Sequence, residues 1–191
     1  RGGVTRWMVD AAAACSKQGC NVYFVTVAPA RPFHSAGKSE TIVQLLEREQ
    51  TRLQIISVNV GYEFEFGTPE YRKYIYRQLI GKIPVGTPLI LSDDQSVWEA
   101  ATAMRDSYPI VGVLHADEQF YYTYAQRYHK KTDLLVCVSE RVKKNTLALL
   151  PADYSSKVYV IPCGINIQPP HFGEHASVLQ LVYAGRISEY Q

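Results

Sequence analysis

Residues 133–162 read DLLVCVSERVKKNTLALLPADYSSKVYVIP. The segment opens on a short apolar run that Ser139 closes. A helical pattern follows over Glu140 to Leu149, and after a proline turn comes a second apolar run, KVYVIP. Neither run alternates apolar with polar residues. Unbroken apolar strands are the mark of parallel strands covered on both faces, and parallel neighbours need a crossover helix between them. One strand–helix–strand unit is therefore predicted here.

The same unit repeats upstream. Strand-like runs stand at NVYFVTVAP (21–29), LQIISVNV (53–60), PLILS (88–92) and PIVGVLH (109–115). Helical patterns fall between them at Glu40 to Gln50, Pro69 to Ile80, Ser96 to Asp106 and Glu118 to Tyr128. A first helix is read from Val4, Trp7, Met8, Ala11 and Cys15, which recur at three- and four-residue spacing, and Gly19 ends it. Strand and helix in alternation predict an α/β fold: a doubly wound, Rossmann-like, mostly parallel sheet with helices on both faces. In such a sheet a strand normally precedes the first glycine turn. None precedes RGGV, so the first strand is expected to be missing from residues 1–167. Residues 168–178, with Pro169, Pro170 and Gly173, read as a linker. Residues 179–191 read as one strand of a further domain.

Composition narrows the classes. The chain has 191 residues, 47% hydrophobic and 20% charged, with a formal net charge of +2 and 14 tyrosines. That balance argues neither for nor against a polyanionic partner; QRYHKKTD (126–133) reads as a solvated helix end, and no nucleic acid is expected. No apolar run reaches about 18 residues, so no membrane span is predicted, and no signal peptide is read at the front. Cys15, Cys20, Cys137 and Cys163 form no C-x-x-C pair. Buried free thiols in a reducing compartment are expected, without a zinc site. Walker, G-x-G-x-x-G, G-x-S-x-G and H-E-x-x-H motifs are all absent.

In parallel α/β sheets ligands bind beyond the carboxyl ends of the strands. There the chain places Ser92, Asp93 and Asp94, then His115 and Asp117, then Ser139, then Pro162, Cys163 and Gly164, and finally Gly185 and Arg186. Each has a plain reading beside the functional one. Asp93, Asp117 and Ser139 are good helix N-caps, and of the Asp93–Asp94 pair one aspartate is enough to cap. His115 ends a strand where neither capping nor burial needs an imidazole, which favours function. Gly2 and Gly3 make a tight turn, or an anion site at a helix N-terminus. Arg186 is a surface arginine unless a second lobe faces it. His34, His129, His171 and His175 lack ligand spacing and read as surface residues.

Four stretches carry a resemblance. RGGVTRWMVDAAAACSKQGCNVYFVT resembles the Gly-Gly-Val loop, first helix and second strand of GT-B glycosyltransferases, specifically the large retaining family 4. DLLVCVSERVKKNTL, KVYVIPCGINI and LVYAGRIS are similar to that family's V-S-E/D helix, V-I-P-N-G-V-D loop and G-R-L strand, in order and register. The resemblance implies the acceptor-side half of a two-domain transferase that uses a nucleotide-sugar donor, with no metal or other cofactor. It implies a glycan or glycolipid acceptor and a C-terminal donor domain beyond this chain, without which the chain is expected to be inactive. It assigns Gly2, Gly3 and Arg186 to the donor phosphates and His115 to the reaction centre. Asp93, Asp94 and Asp117 become acceptor-side candidates. A cytoplasmic location is expected, with peripheral contact at the inner face of a membrane left open. Ala116 stands where the family often has a hydroxyl, and Cys163 and Asn166 replace the usual asparagine and aspartate. The alternatives are a GT-B nucleotide-sugar 2-epimerase, or a non-catalytic sugar- or nucleotide-binding module of the same fold.

Overall fold

The computed structural model describes residues 3–29, 53–60, 64 and 66–164. Helix α1 (Gly3–Lys17) leads into strand β1 (Val22–Pro29), and β2 (Leu53–Val60) follows. Then come α2 (Pro69–Ile80), β3 (Leu89–Leu91), α3 (Gln95–Thr102), β4 (Ile110–Leu114) and α4 (Gln119–Tyr128). Strand β5 (Leu134–Cys137), helix α5 (Glu140–Leu147) and strand β6 (Val158–Val160) complete the order. The helix expected at Glu40 to Gln50, the linker and the strand after it lie outside the described residues, as does any strand ahead of Gly2.

Local chemistry explains the boundaries. α1 stops at Gly19, which takes φ +87°, a left-handed turn that a side chain resists. Thr68 caps α2 by accepting from the Tyr71 N–H, and Pro69 occupies the first helical position. Ser139 caps α5 through the Val142 N–H at 3.2 Å. Helix α3 ends four residues before the predicted Asp106. The chain instead tightens into turns, with Met104 N–H on the Ala101 carbonyl.

All described strand pairings are parallel, in keeping with the apolar runs. The described strands form two sheets, β1–β2 and β3–β4–β5–β6. Helix α1 packs on one side of β1–β2, against Phe24. Helices α2 to α5 share the larger core on the other side, with Ile56, Leu91, Ile110, Leu135 and Val158. On the second face of β3–β6, Val113 is buried while Ile90, Leu134 and Tyr159 are 57%, 38% and 50% exposed. Strand pleat sends alternate residues to opposite faces, and the described helices α2–α5 cover only the face of Leu91, Leu135 and Val158.

The buried face centres on Trp98, fully enclosed in α3 against β4. Its indole N–H donates to the Ser92 carbonyl, tying α3 to the loop after β3. Of the cysteines, only Cys137 is buried; Cys15, Cys20 and Cys163 are exposed and all four are free. The expectation of general thiol burial is thus corrected. Apolar neighbours in sequence place a residue on an element without saying which side it faces. Likewise His129, expected at the surface, is half-buried, with its ring edge-on to Tyr154 at 5.1 Å.

Candidate functional site at the carboxyl edge

The residues that follow β3 and β4 gather at one edge. His115 comes directly after β4, and its ring meets Trp7 of α1 edge-on, with centroids 4.5 Å apart at 72°. Trp7 sits about one turn into the helix that Gly3 begins, a rise of about 6 Å. The N-terminal turn of α1 and the end of β4 therefore share one rim. The Tyr121 ring of α4 flanks His115 at 6.2 Å. His115 Nε2 is out of reach of solvent and has no hydrogen-bond partner. Burial holds the imidazole below its ordinary pKa, and the nearby Asp93 charge only partly offsets that. The ring is thus neutral near pH 7, with one nitrogen uncommitted.

The aspartate pair divides its work. Asp94 is the N-cap of α3: one carboxylate oxygen accepts from the Ser96 N–H at 2.7 Å, the other from the Tyr76 hydroxyl at 2.8 Å. Asp93 is exposed and caps nothing. Its Oδ1 accepts from the Tyr121 hydroxyl and from Ser92 Oγ at 3.1 Å. Burial, then the adjacent carboxylates, push the Tyr76 and Tyr121 phenols far above their usual range, so both stay donors. Capping therefore accounts for Asp94 and leaves Asp93 without that plain explanation.

Asp117 is not a cap either. Glu118 occupies the N-cap of α4 without a side-chain bond. Asp117 instead accepts from the Tyr122 hydroxyl and from Asn145 Nδ2 at 3.0 Å, and pairs with Arg141 at 2.5 Å. Those hydrogen bonds, Tyr122 first, hold its carboxyl below the ordinary carboxylate range. Its partners clamp α4 to α5, a structural task, and the site gathers around Asp93 and His115 without it. Gly3 is placed at the head of α1. Gly2 and Arg186 lie outside the described residues.

Trp7, Tyr76 and Tyr121 are site neighbours that sequence reasoning misses. A signal for Tyr121 exists: Tyr121, Tyr124, Ala125 and Tyr128 recur at helical spacing in FYYTYAQRY and form the buried stripe of α4. Among the described residues no three His, Cys, Asp or Glu side chains are arranged to hold a metal ion. No described helix is long and apolar enough to cross a membrane.

The family model of Glycosyltransferase Family 4 matches residues 1–169. The chain belongs to that family, and the half-sheet with a histidine at its carboxyl rim is a glycosyltransferase domain. No curated protein and no solved structure matches it.

Proposed function

We propose that this chain is the acceptor-side domain of a retaining glycosyltransferase. The enzyme moves a hexosyl unit from a nucleotide-diphosphate sugar to a glycan or glycolipid on the cytoplasmic side of a membrane. The donor half is a second domain of the parent protein, and the isolated chain is silent without it. The observation that carries the reading is the packing of Trp7 against His115, which joins the α1 N-terminal turn to the end of β4.

The chemistry follows from that rim. Glycosyl transfer expels a diphosphate while positive charge grows at the anomeric carbon. Backbone N–H groups of the Gly2–Gly3 turn and the positive end of the α1 dipole suit the leaving phosphates, with Arg186 as the cation opposite. A neutral His115, half-buried at the rim, adds no positive charge near the reacting carbon. A charged imidazolium there would oppose the growing positive charge. The roles of Gly2, Gly3, Arg186 and His115 belong to this proposal, as does the need for no metal.

The test uses the parent protein with a panel of nucleotide sugars and acceptor lipids. His115→Ala and Arg186→Ala should each lower kcat by about 100-fold or more while thermal melts stay close to the parent's. Unchanged turnover in both variants overturns the assignment. Conversion of the donor sugar to its epimer, with donor alone, would make the protein an epimerase instead.

A further inference from the structure

Helix α1 ends in a nested pair of backbone hydrogen bonds. The Cys20 N–H donates to the Cys15 carbonyl at 3.1 Å, and inside it the Gly19 N–H donates to the Ser16 carbonyl at 2.9 Å. Gly19 supplies the left-handed residue, with φ +87°. This is the Schellman ending of a helix, in which the two residues joined by the outer bond frequently bring their side chains together. Here both of those positions are cysteines.

The outer bond limits how far the two residues stand apart. With ordinary backbone dimensions, a 3.1 Å bond keeps the Cys15 and Cys20 Cα atoms within about 7 Å of each other. Disulfides usually span Cα separations of about 4.4–6.8 Å. The turn between them has room to adjust, since nothing lies within 4 Å of where a Gly19 Cβ would stand. Both thiols are free and exposed, so a reagent reaches either one. Cys137 differs: it is fully buried, with Sγ 3.8 Å from Thr146 Oγ1.

We infer that Cys15 and Cys20 form a reversible intrachain disulfide by exchange with a small disulfide such as oxidised glutathione, and that this bridge staples the end of α1 to the start of β1. One cysteine, as thiolate, attacks a sulfur of the small disulfide. That S–S bond breaks, a first small thiolate leaves, and a mixed disulfide forms on the protein. The second cysteine then attacks the protein-side sulfur and expels the second small thiolate. The cysteine pair is oxidised by two electrons, and the small disulfide is reduced to two thiols that take up the two protons the cysteines lose. The bridge closes a short loop in an exposed turn, the setting of a labile disulfide and not of a permanent one. Its effect falls on a lightly held helix, because α1 rests on a small core of Val9, Ala12 and Phe24.

The experiment treats the reduced 191-residue chain with oxidised glutathione, blocks remaining thiols and digests it with trypsin. Cleavage after Lys17 separates Cys15 from Cys20. Mass spectrometry should therefore find the peptide ending at Lys17 linked to the one beginning at Gln18. Thiols that react quickly with Ellman's reagent should fall from three to one. The oxidised chain should melt about 4–8 °C higher, and excess reduced glutathione should restore the original Tm. Cys15→Ser should melt like the reduced parent and gain nothing from oxidation, whereas Cys163→Ser should still form the link. Stable glutathione adducts on both cysteines, a link to Cys163 instead, an unchanged or lower Tm on oxidation, or a bridge that reduced glutathione cannot open overturns the inference.

Discussion

The indole of Trp98 lies so close to Gly112 that a methyl group on the glycine would come within 2.1 Å of ring atom Cη2. Leu135 Cδ2 would lie 2.9 Å from the same methyl group. Only a residue without a side chain lets α3 settle on β4 at this depth. That depth brings the Trp98 N–H to the Ser92 carbonyl and so aims the Ser92–Asp94 loop toward the rim.

Gly112→Ala should therefore cost about 1–3 kcal/mol or more through overpacking. In an equilibrium urea melt the midpoint should fall, with Tm lower by about 2–4 °C per kcal/mol. A variant as stable as the parent would mean that Trp98 can move without consequence.

The half-buried, neutral His115 gives stability a defined pH dependence. On unfolding the imidazole returns to its ordinary pKa near 6.5, above its depressed folded value. Below about pH 6.5 the unfolded chain binds a proton that the folded chain does not. Stability should thus be full above that pH, decline as pH falls toward the folded pKa, and lose no more to this group below it. His115→Gln should flatten that part of the curve. Melts of both proteins between pH 5 and 8, about the window in which histidine titrates, provide the check.

Asp94 and Asp93 should separate cleanly by mutation. Asp94→Ala removes the α3 cap and leaves the Tyr76 hydroxyl unpartnered, a loss of about 1–2 kcal/mol. Asp94→Asn should recover part of it, because an amide oxygen still accepts from the Ser96 N–H. Asp93→Asn should be nearly silent in thermal melts, since Asp93 is exposed and caps nothing. Equal losses for Asp94→Ala and Asp93→Asn would contradict the division of work.

Thiol chemistry reads the fold from another direction. Cys15, Cys20 and Cys163 are exposed, while Cys137 is fully buried, and burial raises its pKa. Native protein should release colour from Ellman's reagent for three thiols quickly, the fourth appearing only in denaturant. Four fast thiols would mean that β5 is not enclosed.

Much of this molecule is legible in its residues alone. Helix α2 occupies the predicted Pro69 to Ile80 because a threonine cap, a proline and the apolar spacing all act within a few residues. Most of the six described strands show as unbroken apolar runs, since parallel strands have a core-facing side wherever helices cross them. His115 stands out because it ends such a run.

Strand–helix alternation, parallel pairing and family membership are written along the chain, because they follow from short-range periodicity and from motifs in register. Which aspartate caps and which stands free is settled by packing. Asp93 and Asp94 are neighbours with the same chemistry, and their distinguishing partners lie far along the chain: Tyr121 is 28 residues from Asp93, and Tyr76 is 18 from Asp94. The contact of Trp7 with His115 belongs to the same class. Hydrogen bonds and ring contacts between separate elements depend on how helices seat on the sheet, and local pattern carries no record of that seating.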